Sequence, residues 1–128
     1  MDMKVDLLQK PRTGQFDTPE GICVDRRGYI LIADTGNNRV QKFRRNGDYV
    51  MEWDGTDDGT KYNKPVYIIP DFNDDSPNRY YIVDQGNKRI VMTDEYGELI
   101  DEFEPKDADG KPLSIWLHVQ LTWNTTSG

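Results

Sequence analysis

An internal repeat constrains the fold of this chain more than any other feature of its sequence. Residues 34–40 and residues 84–90 share Asp, Gly, Asn and Arg at identical spacing. Gly47 recurs at Gly97 with the same interval between the two copies. A repeat of this length is typical of supersecondary units that bury their apolar faces by stacking on neighbours. The sequence therefore predicts similar, stacked units.

The repeat extends upstream, where the interval between the copies is four residues shorter. The matching residues are Pro19, Ile22 and Asp25 in the first copy and Pro65, Ile68 and Asp71 in the second. The difference falls at the first turn, where residues 26–28 are replaced by the longer segment 73–78. Because surface loops tolerate insertions, this shift supports the alignment of the two copies.

Each copy contains four short predicted strands separated by turn residues. The predicted strands are residues 22–25, 29–33, 39–43 and 49–53, then 67–70, 80–83, 89–93 and 98–103. Alternation of apolar and polar residues is imperfect, which suits strands that are covered on both faces. Glycine and proline punctuate the chain, and no window sustains a helical period, so the predicted fold class is all-β.

These residues resemble the NHL repeat, a blade type of closed β-propellers. The resemblance covers residues 14–103, and its most specific part is a proline and glycine turn followed by Asp-Thr-Gly-Asn-Asn-Arg and a closing Phe43. The second copy departs from this pattern, because Thr93 stands in the place of Phe43 and Pro70 lies inside its first strand. The resemblance implies NHL-type propeller blades.

About two and a half blades are expected in a single domain over residues 1–128. The predicted units are blade 1 at residues 14–54, blade 2 at residues 55–104, and a partial blade or terminal strand at residues 105–128. The third unit begins at Pro112, in the place that Pro19 and Pro65 hold in the first two. It then departs from the repeat, since no Asp-x-Gly-Asn-x-Arg motif follows.

The repeated polar residues are expected to stabilise turns. They are Asp34 and Asp84, Gly36 and Gly86, and Arg39 and Arg89. The carboxylates can accept N–H groups of the following turn, the glycines permit positive φ, and the arginines can reach the carboxylates or backbone carbonyls. Trp53 and Phe103 occupy equivalent places in the fourth strands, and we expect both to anchor one blade to the next.

The chain has too few blades to close a propeller, which needs about four to eight. An isolated pair would expose apolar faces and strand edges. We therefore expect self-association, docking onto another protein, or a place within a longer propeller. The residues predicted to mediate assembly are Val5, Leu7, Leu8, Trp116, Leu117, Val119, Leu121 and Trp123.

The formal net charge of −7 disfavours nonspecific binding to nucleic acid and to anionic lipid. No leader pattern and no stretch of membrane-spanning length is present, so we expect a cytoplasmic protein without a membrane partner. Cys23 is the only cysteine, which excludes an intramolecular disulfide and fits a reducing compartment. A small-molecule ligand is neither indicated nor excluded.

No catalytic constellation is visible, and we expect a binding or structural module with no catalytic residues, metal site or cofactor. The alternative is a metal-dependent propeller lyase or hydrolase, because NHL-like propellers include enzymes with several histidines around a central channel. This chain offers only His118 and Cys23 for ordinary zinc ligation. The aspartate clusters near residues 54–58, 71–75 and 107–109 match no calcium loop and are expected to be solvated.

An RNA-binding surface is the other alternative, since some relatives of this repeat bind RNA through a basic propeller face. The residues that favour it are Lys42, Arg44 and Arg45, joined by Lys10, Arg12 and the aromatic Tyr49. The acidic total opposes it, so these residues are expected to form a solvated strand edge.

Overall fold

The computed structural model describes residues 12–72 and 77–111, and these residues form two four-stranded antiparallel sheets. Blade 1 contains β1 (Gly21–Val24), β2 (Ile30–Asp34), β3 (Arg39–Phe43) and β4 (Tyr49–Trp53). Blade 2 contains β5 (Pro65–Pro70), β6 (Arg79–Asp84), β7 (Arg89–Asp94) and β8 (Leu99–Phe103). In both sheets each strand pairs with the next along the chain. The fold of the described residues is all-β, with two four-stranded blades of the kind expected from the resemblance to the NHL repeat.

The predicted strands are confirmed, and β3 and β4 begin and end where the sequence places them. Three strands of blade 2 are longer than predicted, whereas β8 begins one residue later than predicted. Pro65 begins β5, and Asp84 and Asp94 end β6 and β7. A proline is tolerated there because it is the first residue of its strand.

A short 3-10 turn joins the second and third strands of each blade, at Thr35–Asn37 and at Gln85–Asn87. The left-handed residue of each turn is Asn38 or Lys88, both with φ of 55°. The prediction that Gly36 provides positive φ is therefore wrong. Glycine is required there for space, since a Cβ on Gly36 would lie 2.5 Å from Cγ of Asp17.

The main apolar core lies between the two blades. Directly paired residues share one face of a sheet, so Gly21, Ala33, Val40 and Trp53 all lie on the face of blade 1 that meets blade 2. The apolar residues that pack together across this interface are Leu31, Ala33, Val40, Tyr62, Ile68, Tyr80, Ile82 and Val91. Each sheet therefore buries one face against the other.

Strand β1 approaches β5 closely at Gly21. A Cβ on Gly21 would lie 2.6 Å from the carbonyl oxygen of Val66 and 2.9 Å from Cα of Tyr67. Both neighbours are backbone atoms, which cannot move aside as a flexible side chain can. The spacing of the two blades at their first strands therefore depends on glycine at this position.

We expect Gly21→Ala to lower the free energy of unfolding by about 1 to 3 kcal/mol, the usual cost of overpacking a filled interior. Urea denaturation followed by tryptophan fluorescence measures the change. Ile22→Ala is the matched control: Ile22 is the next residue, lies on the other face and is 70% exposed, so its truncation should change little. Equal losses in the two variants would contradict the role given to Gly21.

Candidate functional site

An aromatic contact between the outer strand of blade 1 and blade 2 holds the interface between the blades. The Trp53 ring stacks on the Tyr80 ring at a centroid distance of 6.2 Å, and Nε1 of Trp53 donates to the Tyr62 hydroxyl at 3.0 Å. Gly97, in the last turn of blade 2, makes room for the indole, because a Cβ there would lie 2.7 Å from it. Trp53 is thus an anchor between blades, as the sequence predicts.

Two hydrogen bonds hold the inner part of the same interface. The Thr35 hydroxyl donates to the carbonyl of Pro65 at 2.7 Å, and the backbone N–H of Lys64 donates to Oδ1 of Asn38 at 2.8 Å. Both side chains come from the turn after β2, and both partners lie at the start of β5. The turn of one blade therefore fixes the entry of the chain into the next.

A charged cluster lies at the opposite edge of the interface, around the buried carboxylate of Asp25. One carboxylate oxygen accepts the backbone N–H groups of Arg27 and Tyr29 within its own turn. The other accepts the Tyr80 hydroxyl at 2.6 Å and the Asn78 amide at 3.0 Å, both from blade 2. Asp25 is therefore fully engaged in holding a turn and a neighbouring blade.

Lys42 completes this cluster from the centre of blade 1. Its ammonium group donates to the carbonyl of Glu95 at 3.0 Å and lies 4.5 Å from the centroid of the Tyr29 ring. Burial lowers the pKa of Lys42, although nearby Asp25 and Glu95 act in the opposite direction. Burial raises the pKa of Tyr80, as does its hydrogen bond to Asp25, so the phenol stays protonated.

Asp34 and Arg39 form a second buried group, on the other face of blade 1. One Asp34 oxygen accepts the Asp17 backbone N–H at 2.8 Å, and the other accepts Nε of Arg39 at 2.9 Å. Arg39 also donates to the carbonyls of Arg12 and Gln15. This pair ties the segment before β1 to the turn after β2.

Blade 2 repeats this group with Asp84 and Arg89. Asp84 accepts the backbone N–H of Asn63 at 2.8 Å and Nε of Arg89 at 2.7 Å. The structural role predicted for these residues is confirmed. The predicted source of the backbone N–H group is wrong. In each blade the donor lies in the segment before the first strand, and not in the turn that follows the aspartate.

The first strands of blade 1 leave an apolar face open on the side away from blade 2. We call Ile22, Val24, Ile30 and Ile32 the open face of blade 1. Ile22 and Val24 are 70% and 54% exposed, whereas the equivalent Ile68 in blade 2 is 3% exposed. Residues 12–16 cover only the outer strands of this face, where Phe16 packs on Phe43. Nothing else among the described residues covers it.

Blade 2 has a corresponding open face on its far side. We define the open face of blade 2 as Tyr67, Ile69, Tyr81, Ile90, Met92 and Phe103, which share one side of the sheet. Ile69 is 47% and Phe103 is 52% exposed. Phe103 is equivalent to Trp53 but contacts no following blade in the part of the chain that the structure describes. Its predicted anchoring role remains a prediction.

The repeat architecture agrees with comparisons to known proteins. A family model described as NHL repeat matches residues 16–43. NHL repeat-containing protein 3 from Homo sapiens is 36% identical over 108 residues, covering 79% of this chain and 29% of that relative. The two blades are therefore NHL-type repeats, as the sequence predicts. The chain spans less than a third of this relative, so it corresponds to only part of such a protein.

Two other relatives are more nearly identical to this chain, each over a shorter stretch. Protein lin-41 from Caenorhabditis elegans is 46% identical over 39 residues, which are 30% of this chain and 3% of that relative. E3 ubiquitin-protein ligase TRIM71 from Xenopus tropicalis is 53% identical over 36 residues, which are 28% and 4% of the two chains. Each of these stretches is shorter than one of the two blade units predicted from the sequence.

The eight residues predicted to mediate assembly lie in residues 1–11 and 112–128, outside the described part of the chain. The same holds for the third repeat from Pro112 onward and for His118. The sequence reasoning did not identify the side chains of the two open faces. Local spacing carries no signal for them, because Ile22 and Ile68 hold equivalent positions in the repeat and differ only in whether a neighbouring blade covers them.

The chemistry of the described side chains favours structural roles. Burial, with a smaller contribution from Asp25, raises the pKa of the Cys23 thiol to about 12, so the thiol is protonated at neutral pH and is a poor metal ligand or nucleophile. Loop aspartates hold turns: Asp58 accepts the N–H of Thr60, and Asp107 accepts that of Lys111. No group of three metal-ligating side chains occurs in residues 12–72 and 77–111.

The basic group proposed for an RNA surface is not assembled as predicted. Lys42 is 3% exposed and its ammonium group lies in the interface between the NHL blades, where an RNA phosphate cannot reach it. Arg44 and Arg45 are exposed, and Lys10 lies outside the described residues. Including Lys42 in a surface patch is therefore wrong.

None of the described residues forms a helix with the length and apolar character needed to cross a lipid bilayer.

We expect Asp25→Asn to lower the free energy of unfolding by about 1 to 3 kcal/mol, since the new amide would face donors wherever it points. Burial alone would raise the pKa of Asp25, but the bonds from Tyr80, Asn78 and the turn lower it on balance. A lowered carboxylate pKa stabilises the fold above its unfolded pKa, and this contribution is lost as the pH falls through the folded pKa. The variant should therefore lose less stability than wild type on acidification.

Asp94→Asn is the matched control for this prediction. Asp94 accepts the backbone N–H groups of Tyr96 and Glu98 in an equivalent type of turn, but no side chain of blade 1 is seen to donate to it. Urea denaturation between pH 3 and pH 7 compares the two variants. If Asp94→Asn changed the pH profile as much as Asp25→Asn, the contact between blades would not be the cause.

Proposed function

We propose that this chain is a non-catalytic binding and assembly module whose two open blade faces are covered by another protein surface. The cover is supplied by copies of the chain, by a partner, or by further blades where the chain is part of a longer propeller. The observation that carries this proposal is the contrast between equivalent residues: Ile68 is buried by a neighbouring blade, whereas Ile22 is 70% exposed.

The energetics of stacked repeats support the proposal. Apolar burial contributes about 25 cal/mol per Å² of surface removed from water. Each sheet obtains this stabilisation only from the face that it packs against the other blade. Both open faces combine branched aliphatic and aromatic side chains, which are the residues that dominate protein interfaces. Contiguous apolar surface of this kind marks an interaction site in a soluble domain.

The available polar groups support binding over catalysis. The carboxylates of Asp25, Asp34 and Asp84 each accept several structural hydrogen bonds, so none is placed to take a proton from a substrate. The one thiol among the described residues is held protonated by burial. These groups stabilise blades, and the faces they leave open are apolar.

The terminal segments are the nearest candidates for the cover. They carry the apolar residues predicted to mediate assembly, and both lie outside the described residues. If two copies exchanged such a segment, each would receive an additional strand for its open sheet from the other copy of the same chain. In this arrangement Trp116 and Trp123 pack on the open face of blade 2 in the same copy or in another.

We expect the full chain to form assemblies whose mass exceeds that of one chain, because the open face of blade 2 is apolar. Ile69→Asp, or the double substitution Trp116→Ser and Trp123→Ser, should shift the mass toward one chain. Analytical ultracentrifugation over a range of concentrations measures this. Phe72→Asp is the matched control, since Phe72 is 67% exposed but follows β5 and lies outside both open faces.

A wild-type chain that stays monomeric at every concentration, and whose open faces take up no fluorescent apolar dye, would contradict the proposal. So would unchanged mass in both the Ile69 and the tryptophan variants. The first result would mean that the open faces are already covered within one copy, and the second that the open face of blade 2 and the two tryptophans do not hold the assembly.

Salt dependence separates this proposal from RNA binding. Contact between apolar faces should be insensitive to ionic strength, whereas binding driven by phosphates weakens steeply as salt rises. We therefore expect the measured mass to stay constant between about 50 and 500 mM salt, on either side of the screening range of charged contacts. Dissociation at high salt would show that charge and not apolar contact holds the assembly.

A further inference from the structure

The interface between the two blades shows which residues of one blade dock onto the blade that follows it along the chain. Blade 1, the earlier blade, contributes a small residue, a hydroxyl, an amide and an aromatic ring. These are Gly21, Thr35, Asn38 and Trp53. Blade 2, the receiving blade, contributes Lys64, Pro65, Val66, Ile68 and Gly97. We call the first group the docking set and the second the receiving set.

The receiving set is repeated in blade 1, on its open face and beside it. Thr18 has the same left-handed backbone as Lys64, with φ of 51° against 55°. Pro19 and Ile22 occupy the places of Pro65 and Ile68. Gly47 occupies the place of Gly97, and a Cβ added to Gly47 would meet no described atom within 4 Å. Blade 1 is therefore built to receive a preceding blade in the same way as blade 2 receives blade 1.

The docking set is not repeated in blade 2. Pairing in the two sheets aligns Gly21 with Tyr67 and Ala33 with Val83. The turn residues equivalent to Thr35 and Asn38 are Gln85 and Lys88. Of the four residues in the docking set, only Trp53 has a chemically similar equivalent in blade 2, the aromatic Phe103. The far side of blade 2 therefore lacks the small surface and the amide acceptor with which blade 1 docks.

We infer that the open face of blade 1 docks an NHL-type blade of another polypeptide segment. That blade carries Gly, a hydroxyl residue, Asn and an aromatic residue at the docking positions. Blade 2 of a second copy does not fit this face. The inference rests on the proposed function. It adds the identity of the occupant, which resembles blade 1 and not blade 2.

Steric contact explains the exclusion. In the interface between blades, a Cβ on Gly21 would lie under 3.0 Å from two backbone atoms of residues 66 and 67. The equivalent receiving residues in blade 1 are Glu20 and Gly21. If a second copy docked its blade 2 there, the Cβ of Tyr67 would meet those backbone atoms, and Lys88 would bring an ammonium group to the Thr18 N–H in place of an acceptor.

Binding between a donor and an acceptor form of the full chain tests this inference. The donor carries Tyr67→Gly, Gln85→Thr and Lys88→Asn, which install the docking set on blade 2, together with Ile22→Asp, which blocks its own open face on blade 1. The acceptor is the fluorescently labelled wild-type chain. We expect donor and acceptor to bind, and we expect an acceptor with Ile22→Asp to bind at least tenfold more weakly. Microscale thermophoresis measures the dissociation constants.

Two matched controls define the contribution of the docking set. A donor with Tyr67→Ala in place of Tyr67→Gly differs by one methyl group, and it should bind at least tenfold more weakly because the Cβ returns. A donor with Ile22→Asp alone retains the native blade 2 and should show no Ile22-dependent binding. Circular dichroism checks that each donor keeps its β-sheet spectrum.

The outcomes separate this inference from the proposed function. Equal binding by the native and grafted donors, or no Ile22-dependent binding by a folded grafted donor, would overturn the inference. If the grafted donor does not fold, the wild-type chain decides: self-association that Ile22→Asp abolishes overturns the inference, and a mass that Ile22→Asp leaves unchanged supports it. The proposed function fails on a different result: an assembly mass that neither the Ile69 variant nor the tryptophan variant changes.

Discussion

The close contact between β1 and β5 is the constraint on which the rest of this structure depends. At Gly21 one backbone lies directly against the backbone of the next blade, and this sets the separation at which Leu31, Val40 and Ile82 can fill the space between the sheets. The Thr35 and Asn38 bonds fix the entry of the chain into β5 at the same separation. Because interiors are packed as densely as organic crystals, a small change in spacing at this point would open voids along the whole interface.

Buried charge gives the two blades a common internal frame. Asp34 with Arg39, and Asp84 with Arg89, each join the segment before a blade to the turn after its second strand. Removing one partner of a buried ion pair destabilises a fold more than the intact pair stabilises it relative to apolar residues. We therefore expect these pairs to specify one arrangement of the chain more than they add stability. The cluster around Asp25 and Lys42 differs, because it spans the two blades and therefore orients one relative to the other.

Most of the fold could be predicted from the sequence, because the repeat places eight strands and their turns in register. The details that failed depend on atoms distant along the chain. The space requirement at Gly36 comes from Asp17, and the burial of Lys42 comes from blade 2, so neither is visible in local spacing. The open faces were missed for a related reason: Ile22 and Ile68 look identical as sequence positions, and only the presence of a neighbouring blade distinguishes them. The terminal residues predicted for assembly lie outside the described residues and stay a prediction.

The left-handed turn residues Asn38 and Lys88 also bear on how such a chain can evolve. Both adopt the same backbone, yet only the asparagine supplies an acceptor to the following segment. A gene duplication that copied blade 1 would produce a unit able to stack on the original without further mutation. A duplication of blade 2 would produce a unit with bulk and positive charge at the junction. The number of blades in descendants of this sequence can therefore grow at one end more readily than at the other.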